Sequence, residues 1–281
     1  MRSRPFNAKT FTMKILLFVV IVIMLIYSLF PFYWMTISSF KSHQEMFQRE
    51  PTLYPHKFIL SNYVDLMQKT NAPRWFMNST YVCVIAVFIC ISISCLGAYS
   101  LTRFRFKGRI GISNSILFVY MFPPIMVGIP LFFFMKRLGL LDSHLGLILT
   151  YSAQTLPYTL WLLRAFFQTI PIDIEDSAYV DGATRLQTLV RIVLPLALPG
   201  IVASSVFSLM VTWNEYVFAF LFISTEWKKT IPTGLRHFMT SHGVLWEYIF
   251  PLSVLAAIPL AIFFLFVQKR LMETMAGGIK G

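Results

Sequence analysis

The acidic residues of this chain are unevenly distributed, and a third of them lie in one short segment. Of the 12 acids in the sequence, four fall close together at Asp173, Glu175, Asp176 and Asp181. The chain contains no Ser-His-Asp or paired-carboxylate arrangement that would support catalysis. The sequence therefore predicts no catalytic residues, and it leaves contact with another molecule or with the membrane surface as the role of this segment.

Cysteine and histidine, the usual ligands of transition metals, lack the spacing that a metal site requires. Cys83, Cys90 and Cys95 all fall within one apolar run, and none forms a C-x-x-C pair. The five histidines are scattered and show no ligand spacing. The pattern predicts no metal site and three buried cysteines that act as small apolar side chains.

A second group of polar residues lies inside apolar runs. Glu215, beside Trp213 and Asn214, sits in the middle of the fifth run, and Gln154 and Thr155 sit in the fourth. An ionisable residue within a membrane span is costly and is a functional candidate by default. Glu215 is expected either to line a translocation path or pair across a subunit interface, or to make a structural hydrogen bond within the bundle. Gln154 and Thr155 are weaker candidates for contact with a polar solute.

The composition indicates which environment positions these residues. Hydrophobic residues make up 57% of the 281 residues, and charged residues make up 13%. A soluble domain carries about a quarter charged residues, so this chain is predicted to be a single all-α domain, residues 1–281, in lipid. The net charge of +12 then indicates membrane topology rather than nucleic acid binding, since Lys and Arg collect near the ends of spans.

Six apolar runs have the length of about 20 residues that a spanning helix needs. The runs are continuous rather than alternating, so they predict helices rather than a barrel. The first run is too long for a cleaved signal segment and is expected to remain as a span. The predicted spans are 15–37, 79–101, 111–135, 145–167, 197–224 and 248–268.

Prolines interrupt two of these runs. Pro123, Pro124 and Pro130 lie in the third, and Pro157 lies in the fourth. Proline removes a helix hydrogen bond, and membrane helices tolerate this loss where neighbours or a cavity satisfy the backbone. A lined pathway or hinge and ordinary bundle packing are equally compatible with this pattern.

The distribution of Lys and Arg predicts the orientation. If the N-terminus is inside, the cytoplasmic segments hold 14 of the 24 basic residues. The densest cluster, at residues 103–109, lies in a short loop, where the positive-inside rule is most reliable. Both termini, including Arg2, Arg4 and Lys280, are therefore predicted to be cytoplasmic.

The segment 171–195, between the fourth and fifth spans, has the local signals of two short helices. Asp173 is predicted to cap the first helix, with Asp176 completing a capping box. Gly182 fits the left-handed position that ends a helix. Thr184 is predicted to cap the second helix, with Gln187 completing its capping box.

The second helix is predicted to be amphipathic and to end before Pro195, which disfavours helix at the preceding residue. Ser177 and Ala178 in the first helix are small enough to let another protein approach closely. Local physics leaves two interpretations open: a helix docked in a partner's groove, or an amphipathic connector on the membrane surface. The predicted apolar face consists of Leu186, Leu189, Val190, Val193 and Leu194.

The segment resembles the EAA loop of permease subunits from binding-protein-dependent ABC importers. That pattern is E-A-A, three residues, Gly, nine residues, then I-x-L-P. Asp176-Ser177-Ala178 stands for E-A-A, Gly182 for the glycine, and Ile192 through Leu194 and Pro195 for the ending. Asp replaces Glu and Ser replaces Ala. The resemblance favours docking, and residues 171–195 are called the coupling loop below.

Three further stretches resemble the carbohydrate-uptake branch of these importers, the maltose-type permeases. They are Phe104 to Gly108, Thr212 to Tyr216 and Gly277 to Gly281. The resemblance implies a pore of two permease subunits, in a heterodimer, with two copies of an ATPase beneath and a solute-binding protein outside. It implies that the EAA loop docks on the ATPase and that a sugar moves inward through a bacterial or archaeal cell membrane.

The chain has no G-x-x-x-x-G-K-[ST] phosphate loop. No cofactor is therefore expected on this chain, and ATP and Mg²⁺ are expected on the partner ATPase. The alternative is a stand-alone transporter driven by an ion gradient, but such folds usually have more spans and inverted repeats. A membrane-embedded enzyme is disfavoured by the lack of catalytic residues.

Overall fold

The computed structural model describes residues 8–240 and 243–277. Arg2, Arg4 and Lys280, on which the predicted position of the termini partly depends, lie outside the described residues. So does most of the stretch from Gly277 to Gly281.

The regular secondary structure of the described chain is helical, except for one hairpin with two residues in each strand. The long helices are separated by short helices at both ends of the bundle, and two of these short helices form the coupling loop. In chain order the elements are α1 (Ala8–Ser38), α2 (His43–Met46), α3 (Ser61–Lys69), α4 (Ala72–Arg103), α5 (Arg109–Tyr120), α6 (Pro124–Arg137), α7 (His144–Gln168), α8 (Ile172–Val180), α9 (Arg185–Thr188), a π-helical segment (Leu189–Val193), α10 (Leu194–Leu196), α11 (Leu198–Trp213), α12 (Val217–Phe222), a 3₁₀ turn (Glu226–Lys228), α13 (Ile231–His237), β1 (Met239–Thr240), β2 (Gly243–Val244) and α14 (Trp246–Gly277).

The predicted helical bundle is confirmed, but two of the six predicted spans are not continuous helices. The run 111–135 is divided into α5 and α6 at Pro123, and the run 197–224 is divided into α11 and α12 at residues 214–216. Pro130 and Pro157 lie inside α6 and α7 without ending them. By length and composition, three helical stretches of the described residues can cross a membrane: Met13–Ser38 of α1, α4, and the first 23 residues of α14. The bent pair Arg185–Leu196 and Leu198–Trp213 adds a fourth if it is counted as one span.

Helix α7 is rich in polar residues, and the bundle buries many of them. Ser152 donates to the carbonyl of Ala86 in α4 at 3.1 Å, and Thr159 lies 2.8 Å from Ser208 of α11. Hydroxyl contacts of this kind join helices in lipid, where apolar contact alone gives little preference for one helix over another. They fix α4, α7 and α11 as the central group of the bundle. Helix α1, by contrast, is exposed along its apolar length.

Asp142 joins two loops at the end of the bundle opposite the coupling loop. Its carboxylate accepts hydrogen bonds from the Ser224 and Thr225 amides, from the Thr225 hydroxyl and from Lys228 Nζ at 2.8 Å. Burial opposes ionisation, but the hydrogen bonds outweigh it and hold the pKa of Asp142 well below its usual range. Its backbone φ is +52°, a left-handed conformation that Asp and Asn tolerate better than other side chains.

We expect Asp142→Asn to lower the free energy of unfolding by about 1–2 kcal/mol at neutral pH, because the neutral amide cannot replace a carboxylate that accepts four hydrogen bonds. A depressed pKa contributes stability above the unfolded value of about 3.9 and loses it as pH falls toward the folded value. The wild type should therefore lose thermal stability below about pH 4, and the variant should lose less.

A thiol-reactive dye can measure this unfolding, because Cys83, Cys90 and Cys95 are buried and free. Asp65→Asn is the matched control: its carboxylate pairs with Lys69 at 2.9 Å on an exposed helix, and such pairs contribute little. Equal unfolding midpoints for the two variants would contradict the role assigned to Asp142.

Candidate functional site: the coupling loop

The first helix of the coupling loop, α8, begins two residues earlier than predicted. Pro171 occupies the N-cap position and no side chain caps the helix, so the predicted capping box of Asp173 and Asp176 is wrong. Proline fixes a backbone conformation suited to this entry. Asp173 and Glu175 instead lie in the first turn, where negative charge stabilises the helix dipole.

The inner face of α8 is attached to a spanning helix through Glu175. This side chain is only 2% exposed and accepts a hydrogen bond from Arg103 Nε at 2.5 Å. Its other oxygen accepts from the Tyr99 hydroxyl at 3.0 Å. Arg103 also donates to the carbonyl of Ile170 at 2.9 Å. A buried carboxylate needs such partners, so the loop is linked to the end of α4 by charge and hydrogen bonds.

Sequence reasoning missed Arg103 and Tyr99 as members of this site. Arg103 was assigned only to the basic cluster that sets topology. The available signal was Glu175 itself, since an acid in an amphipathic loop close to the bilayer requires a cation or donor if it is buried. Nothing in the spacing of the sequence, however, identifies a partner so far away along the chain.

The turn after α8 has the predicted form. Gly182 has φ +85°, its amide donates to the carbonyl of Tyr179, and the Ala183 amide donates to the carbonyl of Ala178 at 2.9 Å. These two bonds form a Schellman motif, which satisfies carbonyls at the helix end and requires a left-handed residue. A Cβ at Gly182 would meet no neighbour within 4 Å, so the requirement is conformational rather than steric.

The second helix begins as predicted and ends later than predicted. The Thr184 amide donates to Gln187 Oε1 at 2.8 Å, and the Gln187 amide donates to the Thr184 hydroxyl, so this capping box is confirmed. The expected end before Pro195 is wrong. Because Pro195 has no amide to donate, the preceding turn widens into the π-helical segment, and the helix continues to Leu196. The axis then bends by 75° into α11.

The apolar face of this second helix is only partly used by the chain itself. Leu189 and Val193 are buried in a cluster with Phe167 of α7 and Ala98 of α4, and Leu194 packs against its edge. Leu186 and Val190, predicted on the same face, are exposed. The apolar stripe is therefore wider than the surface that the spans cover.

The outer face of the loop combines exposed acids with exposed apolar side chains. Asp176, Ser177, Asp181 and Gly182 are all exposed, and Val180 is 88% exposed. Ser177 donates to the carbonyl of Asp173, so its hydroxyl is engaged within α8. Exposed apolar groups beside charged ones are typical of a surface that a partner covers. Ala178, predicted to face a partner, is instead buried against the chain itself.

The end of the EAA-like pattern lies at the boundary between loop and span. Ile192 and Leu194 are half-buried, and Pro195 is exposed. Together with the buried Leu189 and Val193, these residues lie on the helical segment Arg185–Leu196, which connects the outer face of the loop to α11 across the 75° bend. The coupling loop is thus joined to the fifth predicted span by a short bent connection.

Glu215 lies where α11 stops and α12 begins. Its two carboxylate oxygens accept from the Phe218 amide at 2.9 Å and the Ala219 amide at 3.2 Å, and the side chain is buried. It therefore caps α12 and satisfies backbone groups that the broken span exposes. Of the two roles expected for Glu215, the geometry favours the structural hydrogen bond within the bundle.

The other candidate path residues are divided between structural and accessible positions. Thr155 is buried and donates to the carbonyl of Tyr151, and the Trp213 indole donates to the carbonyl of Ala256 at 3.1 Å. Gln154 is half-buried, and its Oε1 is buried without a hydrogen-bond partner among the described residues, whereas Asn214 is exposed. Of these four residues, Asn214 presents polar surface that a solute could reach directly.

An apolar helical bundle with a coupling loop firmly attached to one of its spanning helices has the architecture of a transport permease. A family model described as the binding-protein-dependent transport system inner membrane component matches residues 91–276. The chain belongs to this family and is a permease subunit of an ABC transporter.

Two relatives and one solved structure align over almost the whole chain. The inner membrane ABC transporter permease protein YcjP of Escherichia coli K12 is 38% identical, over 92% of this chain and 93% of that one. The trehalose/maltose transport system permease protein MalG of Thermococcus litoralis is 35% identical, over 95% and 97%. A bacterial ABC transporter involved in the import of alginate matches in fold with a TM-score of 0.81 at 24% identity, over 95% and 99%.

Proposed function

We propose that this permease moves a di- or oligosaccharide inward by alternating access, driven by ATP hydrolysis on a separate subunit. The observation that carries the proposal is the two-sided coupling loop. Its inner face is attached to α4 through Glu175 and Arg103, while its outer face exposes acids and apolar side chains. Such a loop can receive a partner's movement and pass it to the spans.

The proposed partners are two copies of an ABC ATPase at the coupling loop, a second permease in a heterodimer, and an extracytoplasmic solute-binding protein. ATP and Mg²⁺ would be held by the ATPase, since this chain has no phosphate loop. The coupling loop, the 103–109 loop and both termini would face the cytoplasm. Sugar as the substrate is supported by the carbohydrate named for the MalG relative and for the structural neighbour.

Within the translocation path, Gln154 and Asn214 are the proposed contacts with the solute, since Asn214 is exposed and the buried Gln154 Oε1 lacks a hydrogen-bond partner among the described residues. Thr155, Trp213 and Glu215 would support the path indirectly by holding the helices around the break after α11. Of these, Glu215 has the clearest supporting contacts, because it caps α12.

The proposal is tested by uptake into proteoliposomes that contain the purified complex and are supplied with the binding protein and a panel of sugars. We expect uptake of one sugar class to require ATP on the ATPase side and to continue when ion gradients are dissipated.

In the same assay, the complex that contains Gly182→Leu should hydrolyse ATP with little sugar uptake. A residue with a side chain costs about 1–2 kcal/mol in the left-handed conformation, and this strain distorts the turn of the coupling loop.

Gly139→Leu provides a matched control. Gly139 also has a positive φ, +68°, and open space around its Cβ position, but it lies in the loop between α6 and α7. The Gly139→Leu variant should have the same conformational strain as Gly182→Leu and should retain uptake coupled to ATP hydrolysis. Uptake that follows an ion gradient without ATP would favour the stand-alone transporter, and normal coupling in Gly182→Leu would contradict the role of the loop.

A further inference from the structure

The loop between α4 and α5 carries a positive charge that the protein does not neutralise. Arg103, at the end of α4, is paired with Glu175. Arg105 and Lys107 are exposed, and among the described residues no acidic side chain forms an ion pair with either of them or with Arg109. Three cations therefore remain available within five residues.

The loop between α4 and α5 also forms a concave surface around these charges. Arg105, Phe106, Lys107, Gly108, Arg109 and Gly111 line a shallow depression of about 530 Å³. Gly108 has φ +86°, which allows the tight turn that brings the basic residues around the depression. Phe104 and Phe106 alternate with the basic residues and are both exposed, so apolar rings flank the charged surface.

The position of the loop indicates what occupies the depression. Helix α4 is an apolar span that ends at Arg103, and α5 starts a second apolar run at Arg109. The intervening residues must therefore lie at the boundary between hydrocarbon and water. At this depth, exposed phenylalanines enter the acyl region while Arg and Lys attract anionic headgroups.

We propose that the concavity formed by Arg105, Phe106, Lys107 and Arg109 binds the headgroup of an anionic phospholipid from the cytoplasmic leaflet. Arginine is suited to this task because its planar guanidinium donates two hydrogen bonds to a phosphate. The leaflet assignment rests on the proposed function, which places the coupling loop in the cytoplasm.

The site also contacts the coupling loop. The Arg185 guanidinium, at the start of α9, lies 5.1 Å from the centre of the Phe104 ring, within cation–π distance. The Tyr99 ring, whose hydroxyl bonds Glu175, packs edge-on against the same phenylalanine. A lipid held at this loop would thus stabilise the surface against which the coupling loop is attached.

The test is a native mass spectrometry titration of the complete detergent-solubilised complex with phosphatidylglycerol or phosphatidylcholine. The variant Arg105→Gln/Lys107→Gln should bind phosphatidylglycerol about 25-fold more weakly, from a contribution of about fivefold for each of the two basic residues. The control variant Lys136→Gln/Arg137→Gln removes the same charge from exposed residues at the opposite end of the bundle, and it should bind phosphatidylglycerol as the wild type does. Neither double variant should change the binding of phosphatidylcholine.

Three results would overturn the proposal: equal phosphatidylglycerol affinity in both double variants, complete displacement of the lipid by excess inorganic phosphate, or loss of the ATPase subunit from Arg105→Gln/Lys107→Gln with lipid binding unchanged. The second result would indicate a soluble anion site, and the third a protein interface. The titration requires neither transport nor ATP hydrolysis, so its failure would leave the proposed coupling mechanism intact. An unchanged unfolding midpoint verifies that the variant is folded.

Discussion

Arg103→Ala is expected to destabilise the permease by roughly 3–5 kcal/mol, because it leaves the buried carboxylate of Glu175 without its cation. Glu175 is 2% exposed and the Arg103 side chain is 9% exposed, so water cannot replace the lost partner. The carbonyl of Ile170 also loses a donor. The dye-based unfolding midpoint should fall sharply, and the complex that remains folded should hydrolyse ATP without transport.

Two further variants separate the ion pair from a general loss of side chain. Arg137→Ala removes an exposed arginine at the opposite end of the bundle and should leave the midpoint nearly unchanged. Arg103→Met/Glu175→Leu removes both charges and should recover much of the stability, since an apolar pair of similar volume avoids the desolvation cost. A recovered midpoint with transport still uncoupled would show that the ion pair specifies the position of the loop. Equal midpoints for Arg103→Ala and Arg137→Ala would contradict the structural role of the ion pair.

The local features of the coupling loop could be predicted from sequence because each depends on residues a few positions apart. The Gly182 turn and the Thr184–Gln187 capping box follow from backbone chemistry that acts within one helical turn. The attachment of Glu175 to Arg103 could not be predicted, since it depends on how α4 and α8 meet in space. The N-cap at Asp173 was wrong because Pro171 already begins the helix.

In the spans, the positions where helices break were only partly predictable from sequence. Prolines marked the third span as interrupted without showing which of them divides it: the helix breaks at Pro123, whereas Pro130 lies inside α6. The expectation that the residue before a proline leaves the helix was wrong at Leu194. The wider turn of the π-helical segment accommodates Pro195, which has no amide to donate. The break after Trp213 was not predicted, since it depends on Glu215 reaching the amides of α12.

Val180→Asp is expected to have the second large effect, this time on assembly. Val180 is the last residue of α8, and its side chain is 88% exposed, so the substitution should change the stability of the permease by only a few tenths of a kcal/mol. If a partner covers this surface, the buried aspartate would cost roughly 2 kcal/mol or more at the interface. The ATPase should then bind at least about thirtyfold more weakly.

Val64→Asp is the matched control, since Val64 is 48% exposed on α3, away from the coupling loop. The deciding measurement is the amount of ATP-binding subunit retained by the affinity-tagged permease when each variant is purified from its host. The proposed docking surface predicts strong loss of the ATPase from Val180→Asp, with wild-type retention in Val64→Asp. Equal retention of the ATPase by the two variants would contradict docking at the coupling loop.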